Sequence, residues 1–163
     1  MKVPVIDSIP FKLYLDLDGV FADFDGRVKL LTGKNPHELG KDLWKIISRD
    51  KEFFASLELM KDAEYLWEYC KQYNPTFLTG APSSQRMRDQ KQEWTADKFG
   101  VYDTIVLPKR DKLLYSGWKK VLVDDTQENI HAWVQKGGVG IHHRDVWETI
   151  EALEQTRAVY QNS

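Results

Sequence analysis

Five short apolar runs, separated by longer segments with helical spacing, determine the class of fold that this chain can adopt. The runs are five to eight residues long and lie near 12–19, 75–81, 104–108, 120–126 and 138–143. Glycine, proline or polar residues end them, as is typical of buried strands. Strands that alternate with helical segments predict a doubly wound, Rossmann-like α/β fold with a parallel sheet of about five strands.

The segments between these runs carry helix boundary signals. Ser83 or Ser84 is predicted to begin a helix that runs to Phe99, with Gly100 as its end. Asp145 and Glu148 have capping-box-like spacing ahead of another helix.

The connection between the first two runs, about residues 22–74, is longer than one crossover helix needs. Asn35-Pro36 is a typical helix start, and apolar residues follow it at helical spacing. We therefore predict a small helical cap, residues 26–60, inserted above the strand ends into an α/β core formed by residues 1–25 and 61–163. The residues that support this cap are Leu39, Leu43, Ile46, Ile47, Phe53 and Phe54.

Composition excludes several classes of protein. The 163 residues are 42% hydrophobic and carry a formal net charge of −2, which argues against disorder and against a chain-wide nucleic-acid surface. Cys70 is the single cysteine, so an internal disulfide and a multi-cysteine zinc site are excluded. A single cysteine fits a reducing cytoplasm, and neither a secretory signal nor a membrane-spanning run is evident.

Residues suited to phosphoryl transfer follow three of the predicted strands. Asp16 and Asp18 follow the first run, Thr79-Gly80 the second, and Asp124-Asp125 the fourth, while Lys112 precedes that fourth run. If the first strand persisted, Asp16 and Asp18 would point to one side of it. Because parallel strands place their carboxyl ends along one crevice, we expect these side chains to converge.

Four converging carboxylates require a cation, protonation or separation, because each like-charged pair costs roughly 4 kcal/mol at ~4 Å and an effective dielectric near 20. Oxygen ligands favour Mg²⁺, which would also attract a phosphate dianion. One carboxylate could then attack phosphorus and its neighbour could transfer protons, while Thr79, Gly80 and Lys112 held phosphoryl oxygens.

Each of these signals alone has an ordinary structural explanation. Thr79-Gly80 suits a strand-to-helix turn, Lys112 stands in a basic run, and Asp124-Asp125 could cap the next helix. Their joint occurrence at three predicted strand ends favours catalysis. The chain has no GxxxxGK[ST] loop, GxGxxG loop or GxSxG elbow that would favour another chemistry.

In this order the residues resemble the four motifs of haloacid dehalogenase (HAD) superfamily phosphatases, including the form Asp124-Asp125-Thr-Gln-Glu-Asn129. The resemblance implies that Asp16 is the nucleophile and Asp18 the general acid and base. It also implies that Asp16, the Asp18 carbonyl and Asp124 bind Mg²⁺, with a weaker or indirect contribution from Asp125.

A closer resemblance is to the 5′(3′)-deoxyribonucleotidases. It rests on Asp-Leu-Asp-Gly-Val-Phe-Ala-Asp-Phe from Asp16, on the Phe53-Phe54 pair, on Gln-Lys91-Gln-Glu-Trp94, and on Arg110-Asp111-Lys112. The resemblance implies a nucleoside pocket lined by Phe24, which lies eight residues after Asp16, and by Phe53.

These features predict a Mg²⁺-dependent phosphomonoesterase that hydrolyses a nucleoside monophosphate, with a deoxyribonucleotide as the expected substrate, through an aspartyl-phosphate. A 3′-phosphatase acting on polynucleotide ends and a non-catalytic phosphate-binding module on the same fold are the alternatives. We expect a monomer or homodimer that binds a small-molecule nucleotide and no membrane, with nucleic-acid ends as the less favoured partner.

Overall fold

A computed structural model describes residues 2–81, 84–101 and 103–162. Within them, five parallel strands form one sheet in the order β3-β2-β1-β4-β5, which confirms the predicted doubly wound architecture. The strands are β1 Lys12–Leu15, β2 Thr76–Gly80, β3 Thr104–Leu107, β4 Lys120–Asp124 and β5 Val139–His142.

The strand order reverses beside the central strand. The chain leaves β1 for β2 and β3 on one side and returns to β4 on the other, so the gap between β1 and β4 is a topological switch point. Leu15 pairs with Phe77 on one side and with Val123 on the other. This register brings the residues that follow β1 and end β4 next to each other.

Both faces of the sheet are covered by apolar side chains, which explains why the strands are apolar runs and not alternating sequences. Leu13, Leu15 and Phe77 belong to a large core that includes residues of five α-helices. Tyr14 and Leu122 face the opposite layer, with the smaller core around Trp133.

The helices begin and end largely where capping residues predict. The Ser84 hydroxyl accepts a hydrogen bond from the Met87 amide, Gly100 ends the same helix in the left-handed region, and Asp145 caps the last helix. Ser83 and Pro82 lie outside the described residues. The α-helices are α1 Phe24–Thr32, α2 Pro36–Leu39, α3 Asp42–Arg49, α4 Ala63–Cys70, α5 Gln85–Phe99, α6 Gln127–Gln135 and α7 Val146–Gln161, and 3-10 helices span Lys71–Tyr73 and Lys109–Tyr115.

The region predicted as a cap contains α1, α2, α3 and a run of turns. Asn35 and Pro36 start α2 as expected, but the apolar series does not form one continuous helix. Gly40, with φ 51°, separates α2 from α3, because a glycine can turn the chain where other residues would be strained. Asp62 precedes α4 with φ 62° and caps it without a side-chain hydrogen bond.

Across the described residues, every helix is too short or too polar to cross a bilayer.

Candidate functional site

The ends of β1 and β4 bring two buried carboxylates to one ammonium group. Lys112 Nζ lies 2.7 Å from Asp16 Oδ1 and 2.9 Å from Asp124 Oδ2. Asp16 immediately follows β1, and its amide donates to the Val123 carbonyl of β4 at 2.9 Å. The 3-10 helix Lys109–Tyr115 carries Lys112 to the same point. Residues 96 and 12 positions apart in sequence thus form one charge cluster.

Burial makes this cluster electrostatically demanding. Desolvation alone would lower the pKa of Lys112, but the carboxylates of Asp16 and Asp124 outweigh it and the pKa is raised. Desolvation and the negative charge of Asp16 raise the pKa of Asp124, while Lys112 opposes that rise. Lys112 therefore stays an ammonium ion and offsets part of the negative charge.

Asp124 is held in place by its own helix start. Its Oδ1 accepts from the Thr126 amide at 2.8 Å, and its Oδ2 accepts from Asn129 Nδ2 at 3.0 Å. Asn129 lies in the first turn of α6. The spacing in Asp124-Asp125-Thr-Gln-Glu-Asn129 therefore places the Asn129 amide where it can donate to the Asp124 carboxylate. The carboxylate that could ligate a cation is thus fixed before any ion binds.

Asp125 completes a group of three carboxylates. One oxygen each from Asp16, Asp124 and Asp125 lies within 4.8 Å of the others. Asp125 as a residue is exposed, but its carboxyl lies over Gly19, where a Cβ would be 2.0 Å from Oδ2. Desolvation of that carboxyl and the charges of Asp16 and Asp124 raise the pKa of Asp125 to about 8.

Gly19 is required at this point for two reasons. Its φ of +82° disfavours any residue with a side chain, and a side chain would also displace the Asp125 carboxyl. The Asp18-Gly19 sequence after β1 therefore forms the turn and also leaves room for the Asp125 carboxyl.

The donor set fits a hard divalent cation. All three side chains offer oxygen, and three carboxylates against one ammonium leave a formal charge of −2 when all are ionised. The Asp16, Asp124 and Asp125 carboxylates lie close together as the sequence predicts. The Asp18 carboxylate is not part of this group of three and contacts Lys91.

Asp18 and Asp16 contact different partners, because β1 ends at Leu15 and the chain turns at once. The amides of Phe21 and Ala22 both donate to the Leu17 carbonyl in this turn. Asp18 Oδ2 instead meets Lys91 Nζ at 2.7 Å. The strand does not persist to Asp18, so the condition under which strand geometry would align the two acids is not met, and both acids nevertheless line one cavity.

Lys91 is the residue to which sequence reasoning gave no role in the site. Its ammonium also donates to Thr79 Oγ1 at 3.0 Å and to the Gly80 carbonyl at 2.7 Å, so it links the ends of β1 and β2. A signal was available in the sequence. Met87, Lys91 and Trp94 have helical spacing, which places a lysine on an otherwise buried face of α5.

A cavity of about 910 Å³ opens above this cluster. Phe24 and, from the cap region, Trp44 line one part of it, and Trp44 is 46% exposed. Its other described lining residues are Asp16, Asp18, Gly19, Asp25, Gly80, Ala81, Arg88, Val106, Leu107, Pro108, Lys109, Arg110, Lys112, Asp125, Thr126 and Asn129.

Two predicted site residues lie behind the cavity surface. Phe53 is buried beneath Phe24, with ring centroids 5.3 Å apart, and lines a separate cavity of about 240 Å³. Thr79 is fully buried at the end of β2, where its hydroxyl accepts from Lys91. The neighbouring Gly80 reaches the larger cavity.

Comparisons with known proteins support the fold. The chain is similar to a hydrolase from Streptococcus pneumoniae TIGR4, with a TM-score of 0.55 and 10% identity over 89% of this chain and 99% of the other. It is also similar to a HAD-superfamily hydrolase from Ehrlichia chaffeensis, with a TM-score of 0.50 and 11% identity over 95% of this chain and 98% of the other. No protein-family model and no curated protein matches the sequence. The chain therefore has the α/β fold seen in HAD-superfamily hydrolases.

Proposed function

We propose that this protein is a Mg²⁺-dependent phosphomonoesterase that acts on a nucleoside monophosphate. The observation that carries the proposal is the meeting of Asp16, Lys112 and Asp124 at the switch point, where Asp16 and Lys112 line a cavity large enough for a small ligand. Two carboxylates held by one buried ammonium suit phosphoryl transfer, which depends on positioning and on charge stabilisation.

Asp16, Asp124 and Asp125 would hold the cation, together with the Asp18 carbonyl that the family resemblance implies. When bound, Mg²⁺ supplies positive charge that draws in the phosphate and stabilises its transition state.

The chemistry assigned to this chain's own residues takes two steps. Asp16 attacks phosphorus, a bond forms between its carboxylate oxygen and phosphorus, and the bond from phosphorus to the ester oxygen breaks as Asp18 gives that oxygen a proton. Asp18 then removes a proton from water, whose oxygen attacks phosphorus and releases phosphate and free Asp16. The proton that Asp18 gives in the first step is thus recovered in the second.

Three groups are proposed to hold the phosphoryl oxygens. Lys112 already contacts Asp16 and is close enough to balance charge on the group that Asp16 attacks. The Thr79 hydroxyl accepts from Lys91 and keeps its own proton, but it is fully buried behind the cavity surface, so a phosphoryl oxygen must enter beyond that surface to reach it. The Gly80 amide lies at the end of β2.

The cavity wall supports a nucleotide as substrate. Phe24 and Trp44 present aromatic surface to the cavity, with ring centroids 6.3 Å apart, and a base can stack on such surface whatever its identity. The preference for a deoxyribonucleotide rests on the resemblance of the sequence to deoxyribonucleotidases.

The direct test is phosphate release from a panel of ribonucleotides, deoxyribonucleotides and sugar phosphates, measured with Mg²⁺ and with chelator. We expect a deoxynucleoside monophosphate to be the best substrate and chelator to abolish turnover. Asp16→Asn should reduce kcat by at least about 10³-fold because it removes the nucleophile, while Asp97→Asn on the exposed face of α5 should not. Turnover that survives Asp16→Asn would contradict the mechanism, and faster turnover of sugar phosphates would contradict the substrate.

A second candidate substrate, a 3′-phosphorylated polynucleotide end, is favoured by a basic wall of the cavity. Arg88, Lys109 and Arg110 line this wall beside the proposed phosphate site. If these three cations each neutralise a phosphate of a single strand, affinity should fall about 20-fold between 50 and 200 mM salt. Such a fall for oligonucleotides, with no comparable change for mononucleotides, would favour this candidate.

A further inference from the structure

Lys91 is buried in a position where an apolar residue would pack at lower cost. Its exposed fraction is 1%, and it lies on the face of α5 that also buries Trp94 and Thr95. A lysine is rarely buried to this extent unless its charge is paired. The burial of Lys91 therefore indicates that its charge has a role that an apolar side chain could not fill.

All three ammonium protons of Lys91 are committed. They go to Asp18 Oδ2 at 2.7 Å, to Gly80 O at 2.7 Å and to Thr79 Oγ1 at 3.0 Å. An ammonium group has three donors and no acceptor, so this arrangement satisfies it completely.

The ammonium group is also confined from the side of the cap region. Lys91 Nζ lies 4.7 Å from the centroid of the Phe54 ring, at a cation–π distance. The adjacent Gln90 fixes that segment through Oε1, which accepts from the amides of Phe54 at 3.1 Å and Ala55 at 3.2 Å. Its Nε2 donates to the Lys51 carbonyl at 2.6 Å. The position of the Lys91 ammonium is thus set by two strand ends and by residues 51–55.

The two oxygens of Asp18 are consequently unequal. Oδ2 is held by Lys91, whereas Oδ1 is buried and has no hydrogen-bond partner among the described residues. Asp18 as a residue lines the cavity that contains Asp16. A buried carboxylate oxygen without a partner is costly, so this atom requires an explanation.

We infer that Lys91 is a positioning residue for Asp18. Because the Lys91 ammonium donates to Oδ2, Oδ1 is left as the oxygen that carries the proton given to the leaving ester oxygen and later taken from water. This inference rests on the proposed phosphomonoesterase activity. It adds a residue from α5, and a link to residues 51–55, to the groups that control the reaction.

The test compares two substrates that differ in their need for a proton. The alcohol of an alkyl phosphate leaves poorly without protonation, whereas 4-nitrophenolate leaves readily. For Lys91→Met we expect kcat/KM for the best nucleotide of the panel to fall about 10²-fold, and kcat/KM for 4-nitrophenyl phosphate to fall less than about fivefold. Lys98→Met, an exposed lysine on the same helix, should change neither value.

Two further variants keep the test decisive. If Lys91 acts through Asp18, then Lys91→Met added to Asp18→Asn should lower kcat/KM for the nucleotide by less than about threefold. If circular dichroism shows that Lys91→Met does not fold, Lys91→Arg is judged by the same ratio of the two substrates.

Equal losses on both substrates, or additive losses in the double variant, would overturn the inference while leaving the phosphatase activity established. Absence of phosphate release by the wild-type protein from any monoester would instead overturn the proposed function.

Discussion

Without metal, the Asp125→Asn protein should be more stable than wild type. With saturating Mg²⁺, it should be less stable than wild type. The substitution preserves shape and removes one of three carboxylates whose oxygens lie within 4.8 Å of one another. Asparagine also provides a donor where the Asp125 carboxyl, whose pKa is raised to about 8, carries a proton below that pH.

The size of the effect follows from Coulomb's law. Two unit charges 4.8 Å apart repel by about 3.5 kcal/mol at an effective dielectric near 20. Asp125 is exposed and Lys112 offsets part of the repulsion, so we expect Asp125→Asn to add only about 1–2 kcal/mol to the free energy of unfolding. That corresponds to a rise in Tm of about 2–8 °C for a domain of this size.

The pH dependence has a defined sign. Because the pKa of Asp125 is raised to about 8, the folded metal-free protein retains a proton that the unfolded chain has lost above about pH 4. Ionisation of Asp125 therefore lowers the free energy of unfolding of the metal-free protein as pH rises from about 4 to 8, and the decrease is complete at pH 9. Asp125→Asn should remove this decline.

The assay is thermal unfolding at pH 9 in chelator and in saturating Mg²⁺, with Asp97→Asn as the control for loss of a surface charge. Wild type should gain about 2.7 kcal/mol when Mg²⁺ is at 100 times its Kd, and Asp125→Asn should gain much less. A lower Tm of Asp125→Asn in chelator, or an equal gain from Mg²⁺ in both proteins, would refute the reasoning.

Further predictions concern three other residues. Gly19→Ala should lower kcat by more than about tenfold, because its Cβ would displace the Asp125 carboxyl; an unchanged kcat in steady-state assays would argue against it. Burial lowers the pKa of His143 from its ordinary value of 6.5, so stability should fall as pH drops below 6.5. His143→Gln should flatten the Tm profile below pH 6.5. An unaltered slope would show that another group causes the decrease in stability. Trp44→Ala should raise KM for the nucleotide but not for 4-nitrophenyl phosphate; equal KM changes would exclude base stacking.

The sequence predicts the parts of the fold that depend on local pattern. The runs ending at Leu15, Gly80 and Asp124 are apolar because both faces of the sheet are buried, so strand positions and the parallel sheet could be derived. Ser84 and Asp145 mark helix starts because their side chains satisfy free amides.

Other features depend on distant contacts and could not be derived. The turn after Leu15 gives Asp16 and Asp18 different partners, and strand periodicity does not predict this turn. Phe53 is buried because it packs under Phe24. Its spacing in the sequence would be the same if its ring lay on the cavity wall, so the sequence could not distinguish the two positions. Lys91 was detectable as a charge on a buried helix face, but its three acceptors come from β1 and β2.

The most direct test of the central claim is to trap the phosphorylated enzyme. A reaction with the best nucleotide is quenched in acid within one turnover and reduced with borohydride, which converts a phosphorylated aspartate to homoserine, and the peptide containing Asp16 and Asp18 is then sequenced by mass spectrometry. Our account predicts homoserine at position 16, none at position 18, and none in protein without substrate. Homoserine at position 18, or steady phosphate release with no modified aspartate, would contradict it.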